Sequence, residues 1–292
     1  MSASAARVVA HAKVNIILRV LAREESGFHA LETVFARLAL GDVVTVRTAA
    51  AGRSLECAGA DVGPSERNLA FRAAVAFAEA TGWPAGFAIE IEKRIPVGGG
   101  LGGGSADAGA VLRALAALSP RRVPEAELLR MAATLGSDVP YLTCSAPMAL
   151  AWGRGERMLA LPPLPERVVA LVNPGFAVST ADAYAWLAAE RDTPAPAPRL
   201  LSLAELASWE ALAPLASNDF ESPVSRRRPE IASTIAALGD AGASIARMSG
   251  SGSTLFGVYA SPPAPSALAR TISGSITLTH TLATVSPVEP IP

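Results

Sequence analysis

The sequence predicts a mixed α/β protein in two parts, and three observations carry that expectation. Strand-like alternation and helix-like apolar spacing interleave along the whole chain. Between Phe87 and Leu115 a strand, a glycine-dense turn and a helix follow one another directly. Pro162-Pro163-Leu164-Pro165 then breaks the chain before a fresh strand begins at Val168, which sets the expected boundary between residues 1–162 and 163–292. A chain of 292 residues is long enough for two ordinary domains with ample core.

The glycine turn is the most informative stretch. It reads Pro96-Val97-Gly98-Gly99-Gly100-Leu101-Gly102-Gly103-Gly104-Ser105-Ala106, with six glycines in seven positions. Each glycine loses more backbone freedom on folding than an alanine, so such density suits a main chain that must expose N–H groups or be approached closely. Upstream, Phe87, Ile89 and Ile91 alternate with Ala88, Glu90 and Glu92, the period of a half-buried strand. Downstream, Ala108, Val111, Leu112 and Leu115 recur at helical spacing, with Ser105 expected as the N-cap. A turn that delivers N–H groups to a helix N-terminus is an anion site, so the stretch reads as a phosphate-cradling loop. A flexible linker fits less well, because ordered elements abut both ends and Leu101 sits mid-run as an apolar anchor. Gly98-x-Gly100-x-x-Gly103 satisfies the dinucleotide fingerprint as a string, but another helix rather than a parallel strand follows Ser119-Pro120. A Walker A loop would close on Gly-Lys-Ser, and Gly104-Ser105 has no lysine between.

The other elements follow in order. Val8 to Val20 reads as a strand in which Val8, Ala10, Ala12, Val14, Ile16, Leu18 and Val20 make one apolar face opposite His11, Lys13, Asn15 and Arg19. Lys13 is then a solvated charge or part of a site wall, and spacing leaves both open. After a turn at Glu24 to Gly27 comes Phe28-His29, a pair able to stack on and hydrogen-bond a ring, or to pack a loop down. Leu31 to Leu38 is compatible with helix or strand, Gly41-Asp42 ends it, and Val43 to Arg47 is a short strand. Asn68 to Ala80 is a helix stopped by Gly82 and Pro84, and Pro124 opens another that runs to Leu135. In Gly136-Ser137-Asp138-Val139-Pro140, Ser137 is placed to cap a short turn with Asp138 at its electropositive start, as a cap or as a functional carboxylate. Met148 to Leu161 is strand material around Gly153-Arg154-Gly155, and Val168 to Val172 is a strand.

Beyond it, Ser179-Thr180 caps a helix containing Tyr184 and Trp186, and Thr193 to Pro198 is a stiff loop. Ser202-Leu203-Ala204-Glu205 is a capping box for a further helix. Ser217-Asn218-Asp219 reads as polar punctuation, Arg226-Arg227-Arg228 as a solvated face, and Pro229 as the start of a helix bearing Ile231, Ile235 and Leu238. Strands at Ser244 to Met248 and Thr254 to Tyr259 flank Ser249-Gly250-Ser251-Gly252-Ser253, either a hairpin turn or a second backbone wall. The tail after Thr284 carries few structural signals.

Composition narrows the partners. Half the residues are apolar, 17% are charged and the net charge is −1, so no basic face signals nucleic acid. The apolar runs are too short and too broken for a membrane span, and the first residues lack the pattern of a secretory signal. Two cysteines and three histidines without metal-like spacing argue against a structural metal and suit reduced thiols in the cytoplasm.

Ala12-Lys13-Val14-Asn15, Gly27-Phe28-His29, Asn68-Leu69, Ile95 through Ala106, Gly136 to Pro140, Asn173-Pro174-Gly175, Ser217-Asn218-Asp219 and Ser249-Gly250-Ser251-Gly252 form an ordered set. That set resembles the small-molecule kinase superfamily of galactokinase and the homoserine, mevalonate and phosphomevalonate kinases. The glycine stretch fits its Pro-x-Gly-x-Gly-Leu-x-x-x-Ser signature. The resemblance implies an N-terminal ATP domain like ribosomal protein S5 domain 2, a ferredoxin-like C-terminal domain, and ATP with Mg²⁺. It implies catalytic roles for Lys13 and Asp138. Pro96, Val97, Gly98, Gly99, Gly100, Leu101, Gly102, Gly103, Gly104, Ser105 and Ala106 would meet the nucleotide, with Asn68 and Lys93 beside the adenosine. Ser105 would neighbour the metal, whose ligands the resemblance does not assign.

Within the superfamily the pattern resembles the branch that phosphorylates the 2-hydroxyl of 4-diphosphocytidyl-2-C-methyl-D-erythritol in non-mevalonate isoprenoid synthesis. A sister kinase acting on mevalonate or homoserine is the alternative. That branch implies a cytosine pocket from Phe28, His29 and Tyr184, contacts from Asn15 and Thr180 to the erythritol or diphosphate, and a monomer or homodimer. Phe28 stands where the branch usually has tyrosine, which removes a hydroxyl but keeps the stacking face. Ser137 replaces a common alanine.

Overall fold

The alternation that starts near Val8 extends past its apolar residues at both ends, giving strand β1 at Ala5–Arg23. The structure is a computed structural model and describes residues 4–23, 29–190, 201–269 and 272–291. Phe28, the turn at 24–27 and the loop at 193–198 lie outside the described residues, and of His29 only the backbone lies within them.

Antiparallel to β1 runs β2, His29–Ala49. Leu31 to Leu38 is therefore strand, and Gly41-Asp42 does not end it. Gly41 lies opposite His11, where a Cβ would sit 2.8 Å from Val9 Cγ1 and 3.0 Å from the Ala10 carbonyl oxygen. Glycine here lets the two strands stay close rather than breaking one of them. The pairing with β1 decides the conformation that local spacing left open.

One irregularity in β1 changes what each residue faces. Asn15 lies opposite Phe35, but Ile17 lies opposite Val34 and Leu18 opposite Thr33. Such a one-residue slip exchanges the two faces of a strand. The single apolar face expected from the sequence is thus divided. Val8, Ala10, Ala12, Val14 and Ile16 enter a first core, while Leu18 and Val20 enter a second.

The first sheet is completed by β3 at Arg53–Ala58, β4 at Gly86–Glu92 and the hairpin β5 at Met148–Gly153 with β6 at Arg157–Leu161. Its main path runs from a strand at the chain end, β12 (Glu289–Ile291), through β1, β2 and β4 to β3, with β5 paired to the early part of β2. Helices α1 (Leu69–Thr81), α2 (Gly103–Leu118), α3 (Glu125–Leu135) and the short α4 (Val139–Thr143) pack with it in the first core. Asn68 caps α1 through Ala70 N at 2.9 Å, and Gly82 ends it in the left-handed region. Helix α2 starts three residues earlier than Ser105 as N-cap implied, with Gly102 in the cap position. Gly102, at φ +73°, turns straight into it, and Ala106 N already donates to the Gly102 carbonyl at 2.8 Å.

The second half contributes β7 (Val168–Asn173), α5 (Thr180–Glu190), α6 (Trp209–Leu212), β8 (Ser217–Asn218), α7 (Glu221–Arg227) and α8 (Pro229–Asp240). After these come β9 (Ile245–Met248), β10 (Leu255–Tyr259), α9 (Pro265–Ala269) and β11 (Ser275–His280). The sheet order β11-β7-β10-β9 is the antiparallel ferredoxin-like arrangement. One face carries Val169, Leu171, Phe256 and Val258 into the first core, and the other packs Val172 and Leu255 with Leu238 of α8 in the second. The capping box at Ser202 forms its reciprocal bonds, at 3.0 and 3.3 Å, but closes only a turn. Helix α6 begins later, capped by Ser208.

The chain end returns to the first sheet, where β12 (Glu289–Ile291) pairs with Ala5–Arg7. Three paired residues have no period to display, which is why the tail carried no signal. Nearby, His11 Nε2 lies 2.9 Å from Ser286 Oγ, and Arg113 donates to the Ser286 carbonyl. Among the described residues, no helix is long and apolar enough to cross a membrane.

His11 makes this junction sensitive to acid. Burial, helped by the Arg37 and Arg113 charges, pushes its imidazole down to about 4 from 6.5. The unfolded chain therefore binds the proton first as pH falls, and stability present above pH 6.5 is lost on the way to pH 4. This contributes on the order of 3 kcal/mol. In urea unfolding, His11→Gln should lose markedly less stability than wild type across that window; parallel pH profiles would contradict it.

Candidate active site

Two clefts meet at the glycine loop. The larger, about 610 Å³, is lined by Lys13, Asn15, Thr33 and Phe35 from β1 and β2, by Ser137 and Asp138, and by Thr180, Tyr184 and Phe220. The smaller, about 380 Å³, is lined by Asn68, Lys93 and the loop from Pro96 to Ser105. Gly100, Gly102 and Ser105 belong to both. Apart from Phe28 and the His29 side chain, which lie outside the described residues, and Ala106, the expected site residues line the two sides of one loop. Ala106 is buried and lines neither cleft.

The loop's path needs its glycines. Gly98, Gly100 and Gly102 have φ of +75°, +76° and +73°, the left-handed region that side chains disfavour. Positive φ at alternate residues is the backbone pattern from which anion-binding concavities are made. A Cβ at Gly100 would sit 2.2 Å from the Ser249 carbonyl oxygen, whereas one at Gly98 would meet nothing within 4 Å. Leu101 is buried, and its carbonyl accepts from Lys13 N at 3.0 Å. Ser249 Oγ donates to the Gly100 carbonyl at 2.9 Å, and Thr254 N to that of Gly99 at 3.2 Å. The Ser249–Ser253 segment is accordingly a second wall. Asn218 secures it by donating to the Met248 and Gly250 carbonyls at 2.7 and 2.8 Å, so Ser217-Asn218 is a clamp rather than punctuation.

Beneath the loop lies a buried charge cluster. Lys93 Nζ is 2.5 Å from Asp42 Oδ2 and 2.9 Å from Asp107 Oδ2. Asp42 Oδ1 also accepts from Arg94 N and Ile95 N, at 2.5 and 2.8 Å. Burial alone would lower the Lys93 ammonium, but the Asp107 and Asp42 carboxylates outweigh it and hold it above the usual lysine value. Burial pushes Asp107 up to about 7, against the pull of Lys93. Lys93 therefore reaches the smaller cleft with its ammonium already held by two carboxylates.

Across the larger cleft, Lys13 and Asp138 face each other. Lys13 is 3% exposed, and its Nζ lies 2.7 Å from Asn15 Oδ1 and 3.4 Å from Asp138 Oδ2. Lys13 is therefore not a solvated charge. Asp138 occupies the N-cap position of α4 but makes no capping hydrogen bond, so its carboxylate is available to the cleft. Phe35 lies under Lys13 at 5.6 Å and stacks on Tyr141 of α4 at 4.6 Å. Arg37, 1% exposed, sits over the Tyr141 ring at 4.9 Å and donates to the carbonyls of Tyr141, Leu142, Cys144 and Ala146. Phe35 and Arg37, two apart on β2, thus fix the helix that presents Asp138. The sequence reading missed both, although Thr33, Phe35 and Arg37 alternate as soon as the segment is taken as a strand.

At the far end, Tyr184 packs edge-on against Phe220 at 4.9 Å. Burial and then the Asp138 carboxylate push its phenol up. Thr180 Oγ1 lies 2.9 Å from Ser251 Oγ, joining α5 to the second wall.

The chain matches the family model for the GHMP kinases N terminal domain over residues 68–148 and that for the GHMP kinases C terminal over 200–275. It is 43% identical to the 4-diphosphocytidyl-2-C-methyl-D-erythritol kinase of Parvibaculum lavamentivorans, across 86% of this chain and 88% of that one. This chain belongs to the 4-diphosphocytidyl-2-C-methyl-D-erythritol kinase family. The family member of Moorella thermoacetica is 40% identical, over 86% and 89% of the two chains. A crystal structure of a 4-(cytidine 5'-diphospho)-2C-methyl-D-erythritol kinase superposes with a TM-score of 0.77 at 37% identity, covering 94% and 98%. Homoserine kinase from Cytophaga hutchinsonii, at 18% identity and TM-score 0.67 over 99% and 98%, shares the fold. The chain is a small-molecule kinase with the ATP use of its family.

The contrast between two glycines tests the loop. Gly100→Ala should weaken binding of a non-hydrolysable ATP analogue by about tenfold or more, the effect of strain plus a clash. Gly98→Ala, strained but unobstructed, should lose less. Calorimetric titration checks this; equal losses would mean that the Ser249 contact does not shape the loop.

Proposed function

We propose that this kinase transfers the γ-phosphoryl group of ATP to the 2-hydroxyl of 4-diphosphocytidyl-2-C-methyl-D-erythritol. The observation that carries the reading is the Lys13–Asp138 pair, 3.4 Å apart, at the edge of a glycine loop shared by two clefts. The relatives' names supply the acceptor. The loop N–H groups hold the nucleotide's phosphates from the smaller cleft, while Asn68 and Lys93 lie on its adenosine side. The acceptor occupies the larger cleft, with Thr180 toward its polar middle and Tyr184, Phe28 and His29 taking the cytosine.

Phosphoryl transfer asks chiefly for alignment and for stabilisation of spreading negative charge. Asp138 orients the hydroxyl and receives its proton. Lys13 holds Asp138 in place and steadies the negative charge on the transferring group. The donor set suits a Mg²⁺ carried largely on phosphate oxygens. Ser105 offers a hydroxyl at the junction of the clefts, and among the described residues no cluster of three or more acidic, histidine or cysteine side chains could enclose a metal. Bound there, Mg²⁺ would neutralise phosphate charge. Residues 1–162 form the ATP-binding part and 163–292 the substrate-binding part, with Asp138, Phe28 and His29 of the first part also serving the acceptor. Two free cysteines suit a cytoplasmic setting.

ADP release should be seen with the cytidine diphosphate alcohol and not with mevalonate or homoserine. Release with either of those instead would overturn the assignment of the acceptor. Asp138→Asn should reduce turnover by about two to four orders of magnitude; near-normal turnover would remove Asp138 from the chemistry. His29→Ala should raise the KM for the acceptor and leave that for ATP nearly unchanged, and an equal rise in both would place the cytosine elsewhere.

A further inference from the structure

Lys13 is set by a chain of hydrogen bonds whose direction is fixed from its far end. Thr33 is fully buried, and its hydroxyl donates to the Ile17 carbonyl at 2.7 Å. A carbonyl only accepts and a hydroxyl has one proton, so Thr33 Oγ1 faces its other neighbour as an acceptor. That neighbour is Asn15 Nδ2, at 2.8 Å. The amide is thereby held with its nitrogen toward Thr33 and its oxygen toward Lys13 Nζ, 2.7 Å away. The reverse orientation would set the amide N–H groups against an ammonium and the amide oxygen against a hydroxyl whose proton is already committed. The register slip after Asn15 brings the Ile17 carbonyl and Thr33 together.

We infer that Thr33 is a positioning residue for phosphoryl transfer, acting through Asn15 to aim the Lys13 ammonium at Asp138 and the transferring group. The inference rests on the kinase reading above. It also gives Asn15 a task within the protein beside contact with the acceptor, because one proton and one lone pair of its amide are already engaged there.

Thr33→Val keeps the shape and removes the acceptor; Thr33→Ser keeps the acceptor. With the cytidine diphosphate alcohol, Thr33→Val should lower kcat by roughly 10- to 100-fold, the range for a lost hydrogen bond in a charged array. ATP-analogue affinity and acceptor KM should stay within about twofold of wild type. Thr33→Ser should restore most of the rate. In Asn15→Ala the relay is already cut, so adding Thr33→Val should slow the enzyme little further. A wild-type kcat in Thr33→Val, or losses that simply multiply in the double variant, would overturn the inference while leaving the kinase reading intact. Should wild type not use this acceptor, that reading fails instead, and crystal structures still decide the relay. Loss of the Asn15 Oδ1–Lys13 contact in Thr33→Val but not in Thr33→Ser supports it, and retention in both overturns it. If Thr33→Val melts below the assay temperature, Thr33→Ala takes its place with the same outcomes.

Discussion

An ammonium removed from water needs partners, and the architecture around the cleft is arranged to give Lys13 its own. Taking an unpaired lysine charge to this depth costs on the order of several kcal/mol. Asn15 Oδ1 at 2.7 Å, Asp138 Oδ2 at 3.4 Å and the Phe35 ring at 5.6 Å offset that cost. Each partner arrives on a different feature: a neighbour on β1, a helix start, and the paired strand. Moving any of the three leaves a buried charge unsatisfied, so the site's geometry and local stability are set together. Asp138 remains about one-third exposed on its side chain, which keeps it open to a ligand.

The same strand joins the two halves of the molecule. By changing face after Asn15, β1 gives Val14 and Ile16 to one core and Leu18 and Val20 to the other. Its residues 17 and 18 pair with Ser217 and Asn218, and Asp219 accepts from Val20 N at 2.8 Å. Asn218 in turn holds the Ser249–Ser253 wall against the glycine loop. Lys13 thus lies a few residues from the place where both cores, both walls and both clefts are tied together.

What the sequence made legible was local. A run of six glycines in seven positions, an apolar anchor at Leu101, and lysine and aspartate in distinctive short contexts are readable without knowing what packs on them. Hidden from it were features created by pairing. Leu31 to Leu38 is a strand because β1 lies beside it, and Gly41 permits close approach where a turn was expected. The slip at Ile16 leaves no composition signal, yet it divides what looked like one apolar face. Phe35, Arg37 and Asp107 act on the site only through partners distant in sequence, so nothing in their own neighbourhoods marks them. Ser105 looked like a cap because serine favours that position, but Gly102 had already turned the chain.

The central claim is that the loop amides place a triphosphate's outer group within reach of Lys13 while Asp138 meets the acceptor. A crystal structure with a non-hydrolysable ATP analogue and the cytidine diphosphate alcohol tests it directly. The terminal phosphate is predicted between the loop and the Lys13 ammonium, with the 2-hydroxyl within hydrogen-bond reach of Asp138. A triphosphate bound away from residues 98–104, or an acceptor hydroxyl turned from Asp138, would contradict it.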